Sequence, residues 1–86
     1  MAGQNRWTLE IRSRLAGSRR LMRTKRYKGT PARARLRETR QDLARLLRIP
    51  AYERDIVAVR VVLLEHDAAV RALTGRQRLS HPPLNP

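Results

Sequence analysis

Cysteine is absent from this 86-residue chain, so neither a disulfide nor a thiolate metal site can brace it. Phenylalanine is absent too, and one Trp and two Tyr make up the aromatic content. A core must therefore come from Leu, Val, Ile and Ala, at a size where burial is marginal even with better material. His66 and His81 are too few for a structural zinc site without carboxylates or a partner's ligands, so no metal is expected. Acids are scarce: seven, against twenty Lys and Arg, for a net charge of +13. Long apolar runs are missing as well. The longest, residues 56–64, is broken by Arg60 and closed by Glu65, His66 and Asp67, too short to span a membrane. No apolar segment of the secretory kind follows the start. There is no phosphate-binding glycine loop and no pair of carboxylates spaced for acid–base work, and Ser13, Ser18 and Ser80 lie in no motif. His66, between two acids on a mixed helix, reads as a packing or surface residue. No catalysis and no cofactor are expected.

What the chain has is positive charge, unevenly placed. Residues 1–48 carry 15 Lys and Arg against Glu10, Glu38 and Asp42, a net +12, while residues 49–86 carry five Arg against four acids, a net +1. Eighteen of the twenty cations are Arg. GC-rich codons favour Arg over Lys, but codon choice does not put +12 on one half. Self-repulsion there opposes compaction unless a polyanion neutralises it.

Hydrophobic spacing predicts an all-α fold: a small three-helix protein, a helical hairpin plus a long apolar third helix, with extended termini. Residues 1–6 read as a flexible basic start and 7–75 as one helical domain, with helices about 7–28, 31–48 and 51–74. Residues 76–86 read as an extended tail, because Pro82 and Pro83 forbid helix. In the first helix Trp7, Ile11, Leu15 and Met22 share a face, with Ser18 filling a step. Asn5 is its expected cap, and Gly17 a point where it bends or breaks. Gly29-Thr30-Pro31 then supplies a helix end, a cap and a first helical position. Ala32, Leu36, Leu43, Leu46 and Leu47 stripe the second helix, which Ile49-Pro50 stops. For the third, Pro50 suits the first position and Gly75 the left-handed end. Two apolar rows run along it: Ile56, Val59, Leu63, Val70 and Leu73, and beside them Val57, Val61, Leu64, Ala68 and Ala72. So broad a face needs cover beyond what the rest of the chain offers, and the first row is expected to pack on a partner.

The cations fall at helical spacing on other faces. Arg12, Arg19, Arg20, Arg23, Lys25, Arg26 and Lys28 crowd the first helix and its end, with Tyr27 among them as a possible base-stacking ring. Arg33, Arg35, Arg37 and Arg40 continue along the second helix. Arg33 and Arg35 occupy its first turn, where the dipole repels them; a docked phosphate would reverse that penalty. Residues 36–47, LRETRQDLARLL, resemble the basic C-terminal helix of a two-helix ribosomal large-subunit protein family, at Arg40, Asp42, Leu43, Ala44 and Arg45. The resemblance stops there, since the long third helix has no counterpart in that family.

The expected function is that of a structural RNA-binding subunit of a ribosome or mitochondrial ribosome, neutralising rRNA phosphates and contacting neighbouring proteins. The compartment would be a mitochondrial matrix or a bacterial cytoplasm. The Arg-rich, acid-poor start also has the composition of a mitochondrial presequence. Two alternatives are a DNA-binding accessory or nucleoid protein, which would have to read with its second helix, and a basic accessory subunit of a mitochondrial membrane complex.

Overall fold

The computed structural model describes the backbone of residues 2–79 and the side chains of residues 7–75. Three helices follow one another: α1, Ala2–Arg23; α2, Pro31–Arg48; and α3, Ile56–Leu79. Single 3-10 turns, Lys25–Tyr27 and Ala51–Glu53, make the two joints. No described residue lies in a strand. The fold is all-α, as the spacing predicts. No helix among the described residues is long and apolar enough to cross a membrane.

The α2 boundaries match the expected ones because three local devices agree. Gly29 takes φ +77°, a left-handed conformation that an L side chain resists. The Thr30 hydroxyl accepts from the Arg33 N–H (3.2 Å) and donates to the Tyr27 carbonyl (2.7 Å), tying the helix start to the turn before it. Pro31 fills the first position, and Ile49 leaves the helix in extended geometry before Pro50.

The other helix ends differ from expectation. α1 begins at Ala2, so Asn5 lies inside the helix and residues 2–6 are not a separate start. It also runs through Gly17 without a break, since that position faces solvent and Ile11, Leu15 and Ser18 hold the surrounding turns against the bundle. It stops at Arg23 rather than residue 28. Thr24 goes extended, its hydroxyl donates to the Arg20 carbonyl (3.0 Å), and the next turn carries Tyr27 into the core. α3 begins at Ile56 because Asp55, not Pro50, caps it: its carboxylate accepts from the Val57 N–H at 2.9 Å. At the far end Gly75 stays helical and α3 continues to Leu79, so residues 76–79 belong to α3. The rest of the expected tail, 80–86, lies outside the described residues.

Packing sorts the two apolar rows of α3. Ile11, Leu43, Val59 and Leu63 form one buried cluster, with Trp7, Leu15, Leu46, Leu47 and Val62 around it. Tyr27, Leu36, Ala69 and Leu73 form a second, backed by Leu21, Met22, Ala32 and Val70. The expectation that Ile56, Val59, Leu63, Val70 and Leu73 meet a partner is therefore corrected. Val59, Leu63 and Leu73 are core, Val70 is half-buried against the second cluster, and only Ile56 is exposed. α1 and α2 supply enough surface to cover one row, though not both. The other row, Val57, Val61, Leu64, Ala68 and Ala72, faces solvent throughout.

Between the clusters lies a polar tier, one residue from each helix: Ser18, Thr39 and His66, all essentially inaccessible. Thr39 donates to the Leu36 carbonyl (2.9 Å) and Ser18 to the Arg14 carbonyl (2.9 Å), so both hydroxyl protons are used locally.

Candidate nucleic-acid interface

Six arginines work inside the fold. Arg40 extends from α2 to α1, donating to the Leu15 carbonyl (2.6 Å) and the Ser18 hydroxyl oxygen. Arg33, two turns earlier, donates to the Met22 carbonyl in the last turn of α1, where no helical N–H follows to bond it. Arg54 does the same for α2, reaching the Leu46 and Ile49 carbonyls at 2.8 and 3.1 Å. Arg14 bridges Glu10 and Asp67, Arg35 bridges Glu38 and Glu65, and Arg45 pairs with Asp42. The hydrogen bond to Asp67 holds the Arg14 pKa above its ordinary value, and bonds to Glu38 and Glu65 do so for Arg35. The Arg40 pKa is lowered, first by burial and then by the charge of Arg19.

This divides the cations that the sequence proposes for nucleic acid. Arg33, Arg35 and Arg40 are committed to carbonyls and carboxylates. Tyr27 is buried in the second core cluster, so its ring is not a stacking platform: the Lys25–Tyr27 turn rotates it inward while Lys25, Arg26 and Lys28 stay out. Arg12, Arg19, Arg20, Arg23, Lys25, Arg26, Lys28 and Arg37 are all exposed, and their side chains make no hydrogen bond or ion pair with another described residue. Arg48 joins them, at eleven residues, three helical turns, from Arg37 on the same side of α2.

The free cations are brought together. Arg12, Arg19 and Arg23 step by seven and four, which lines them along one side of α1. Arg33 and Arg40 show which side of α2 meets α1, and Arg37 stands one step outward from them. The charge of Arg19 is felt at Arg40 across the joint. Two rows of unpaired guanidinium groups thus flank the α1–α2 seam, with Lys25, Arg26 and Lys28 at the turn that closes it. All three acids of α1 and α2 are already bonded to Arg, so nothing on these helices neutralises the seam. At its end a cleft of about 120 Å³ opens over the first turn of α2, between Gly29, Thr30, Arg33, Ala34 and Arg37. That turn contains no acidic residue.

Ser18, His66 and Asp67 have the residue types of a hydrolytic triad without its geometry. His66 Nε2 lies 2.8 Å from Ser18 Oγ, but its Nδ1 is 3.9 Å from Asp67 and has no hydrogen-bond partner. Since the Ser18 proton goes to the Arg14 carbonyl, His66 must present N–H at Nε2, the wrong tautomer for accepting a proton from serine. Ser18 is also inaccessible and mid-helix, where no free backbone N–H can stabilise an oxyanion. Among the described residues no three His, Cys, Asp or Glu side chains come together in a group able to hold a metal.

No protein-family model, curated protein or solved structure matches the chain. Its function has to be read from the surface itself.

Proposed function

We propose that this protein is a structural RNA-binding subunit of a large ribonucleoprotein particle, such as a ribosome or mitochondrial ribosome. The observation that carries this reading is the α1–α2 seam, where Arg12, Arg19, Arg23 and Arg37 stand exposed and unpaired while every acid on the same two helices is occupied. Such a surface attracts closely spaced phosphates and releases their counterions. With Tyr27 buried and no other aromatic on the seam, binding reads backbone shape and charge rather than base identity. α3 is not a reading helix for a major groove, because its outer face is aliphatic and nearly neutral.

The test is sedimentation of a cell lysate with and without RNase, at low and high salt, with the protein followed by antibody. Co-migration with a ribosomal particle, lost on RNase treatment and on reversing Arg12, Arg19 and Arg23 to Glu, supports the proposal. Release by DNase alone would move the assignment to a nucleoid protein. Indifference to both nucleases, with recovery in detergent-solubilised membrane complexes, would move it to a membrane-complex subunit.

A further inference from the structure

The two arginines that tie α2 to α1 also fix how these helices are matched. Arg33 reaches the Met22 carbonyl and Arg40 the Leu15 carbonyl, so the same length of each helix runs against the other in opposite directions. Between these ties, Arg19 and Arg37 stand within about one helical turn of each other, on either side of the joint. Both are exposed. Packed helix axes lie about 8–10 Å apart, a gap that two long side chains can close on one small anion. From this pair Arg12 continues two turns along α1 and Arg48 three turns along α2, both away from the connecting turn. Between Arg37 and Arg48 that side of α2 carries only Gln41 and Ala44. Nothing bulky rises there, and a cleft of about 240 Å³ opens against Gln41, Ala44, Arg45 and Arg48.

We propose, resting on the RNA reading above, that the seam seats one strand of an RNA double helix lengthwise, with Arg19 and Arg37 closing on the same phosphate. The strand lies lengthwise because the cations do: α2 has 18 residues, about 27 Å, and its row runs along most of them. A face that takes unpaired bases needs rings to stack them, each stack worth about 1–3 kcal/mol. The seam has none. Tyr27 is in the core, Trp7 packs on the cluster of Ile11, Leu43, Val59 and Leu63, and Tyr52 lies in the turn after α2, beyond Arg48. What the seam offers is charge in fixed positions, and charge favours the duplex. For DNA, a duplex carries one charge per about 1.7 Å of axis, and its salt slope is about 0.9 per phosphate contacted against about 0.7 for a single strand. A duplex also arrives ordered, whereas a single strand loses conformational freedom when it is laid along the seam.

The test is fluorescence anisotropy of the full chain with two labelled RNAs, a hairpin of about 16 base pairs and an unstructured strand with the same number of nucleotides, over a salt series. The hairpin is expected to bind at least about ten-fold more tightly, with the steeper salt slope. On the hairpin, Arg19→Ala and Arg37→Ala should each weaken binding several-fold. The double variant should lose at least about two-fold less than the product of the single losses, because either change spoils the same phosphate contact. Arg19→Ala and Arg48→Ala, on separate parts of the strand, should multiply. All three positions are exposed, so the helix signal in circular dichroism should stay at the wild-type level. Equal or tighter binding of the unstructured strand overturns the proposal, and so do Arg19 and Arg37 losses that simply multiply. RNA binding without a duplex preference leaves the RNA reading standing while this inference falls. Binding of neither RNA removes both.

Discussion

His66 Nε2 and Ser18 Oγ, 2.8 Å apart, join α3 to α1 at the level where the hydrophobic core is interrupted. The serine oxygen also accepts from Arg40, so one hydroxyl gathers all three helices. The imidazole is kept neutral there. Burial lowers its pKa below the ordinary 6.5, Arg40 and Arg14 push the same way, and Asp67 opposes them.

A pH dependence follows from that relationship. The unfolded chain takes up a proton on His66 as pH falls through 6.5, and the folded chain takes it up only at lower pH. The His66 contribution to stability is therefore fully present above pH 6.5 and is lost as pH drops from there through the depressed folded value. Urea unfolding midpoints across neutral to mildly acidic pH should show the decrease. His66→Gln should flatten the dependence there, and a slope that survives the substitution would refute the assignment.

The turn before α2 is open to two single substitutions. Thr30→Ala removes a hydroxyl with two bonds and should cost about 1 kcal/mol, as lost caps do. Gly29→Ala forces an L side chain into left-handed backbone and should cost about 1–2 kcal/mol. Nothing lies within 4 Å of the position an added Cβ would take, so any loss is conformational rather than steric. Denaturant titration of each variant against wild type measures both.

Arginines of the two classes should separate cleanly. Arg40→Ala loses two hydrogen bonds from a charged donor to α1 and should lower stability by about 1–3 kcal/mol. Arg19→Ala, exposed and unpaired, should leave the melting temperature where it is and reduce the salt slope of RNA binding by about one. Thermal melts combined with affinity measured over a salt series would expose the opposite pattern if the division is wrong.

Leucines offer the same contrast in the core. Leu43 is fully buried, and Leu43→Ala should cost about 2–5 kcal/mol. Leu64→Ala, on the solvent row, should stay within about 0.5 kcal/mol. A domain of this size has only about 5–15 kcal/mol in all, so the first variant should approach the unfolding threshold at physiological temperature.

α2 was legible residue by residue because Gly29, Thr30, Pro31 and Ile49-Pro50 all act locally. The ends of α1 and α3 were not, since a glycine such as Gly75 permits a helix to end without requiring it. Asp55 went unread as a cap because Pro50 gave a competing start five residues earlier. Which apolar row of α3 turns inward was equally hidden: both rows are aliphatic, and the choice rests on how α1 and α2 lie against it. The same holds for the cations. Arg33 and Arg40 look like Arg37 in sequence, and they differ only in having an α1 carbonyl across the joint. Tyr27 shows the limit most plainly, because one 3-10 turn reverses the direction of its ring.

Arg33 and Arg40 give the arginine richness of this chain an origin in construction, beside the phosphate binding proposed for the outer rows. A guanidinium offers several N–H groups in a fixed plane, so a single side chain can reach across to α1 while its stem fills the joint. Lysine, a point charge on a flexible stem, would suffice along the outer rows but would leave the Met22 and Leu15 carbonyls poorly held. Wholesale exchange of one basic residue for the other would thus keep the electric field of the protein and loosen the frame that projects it.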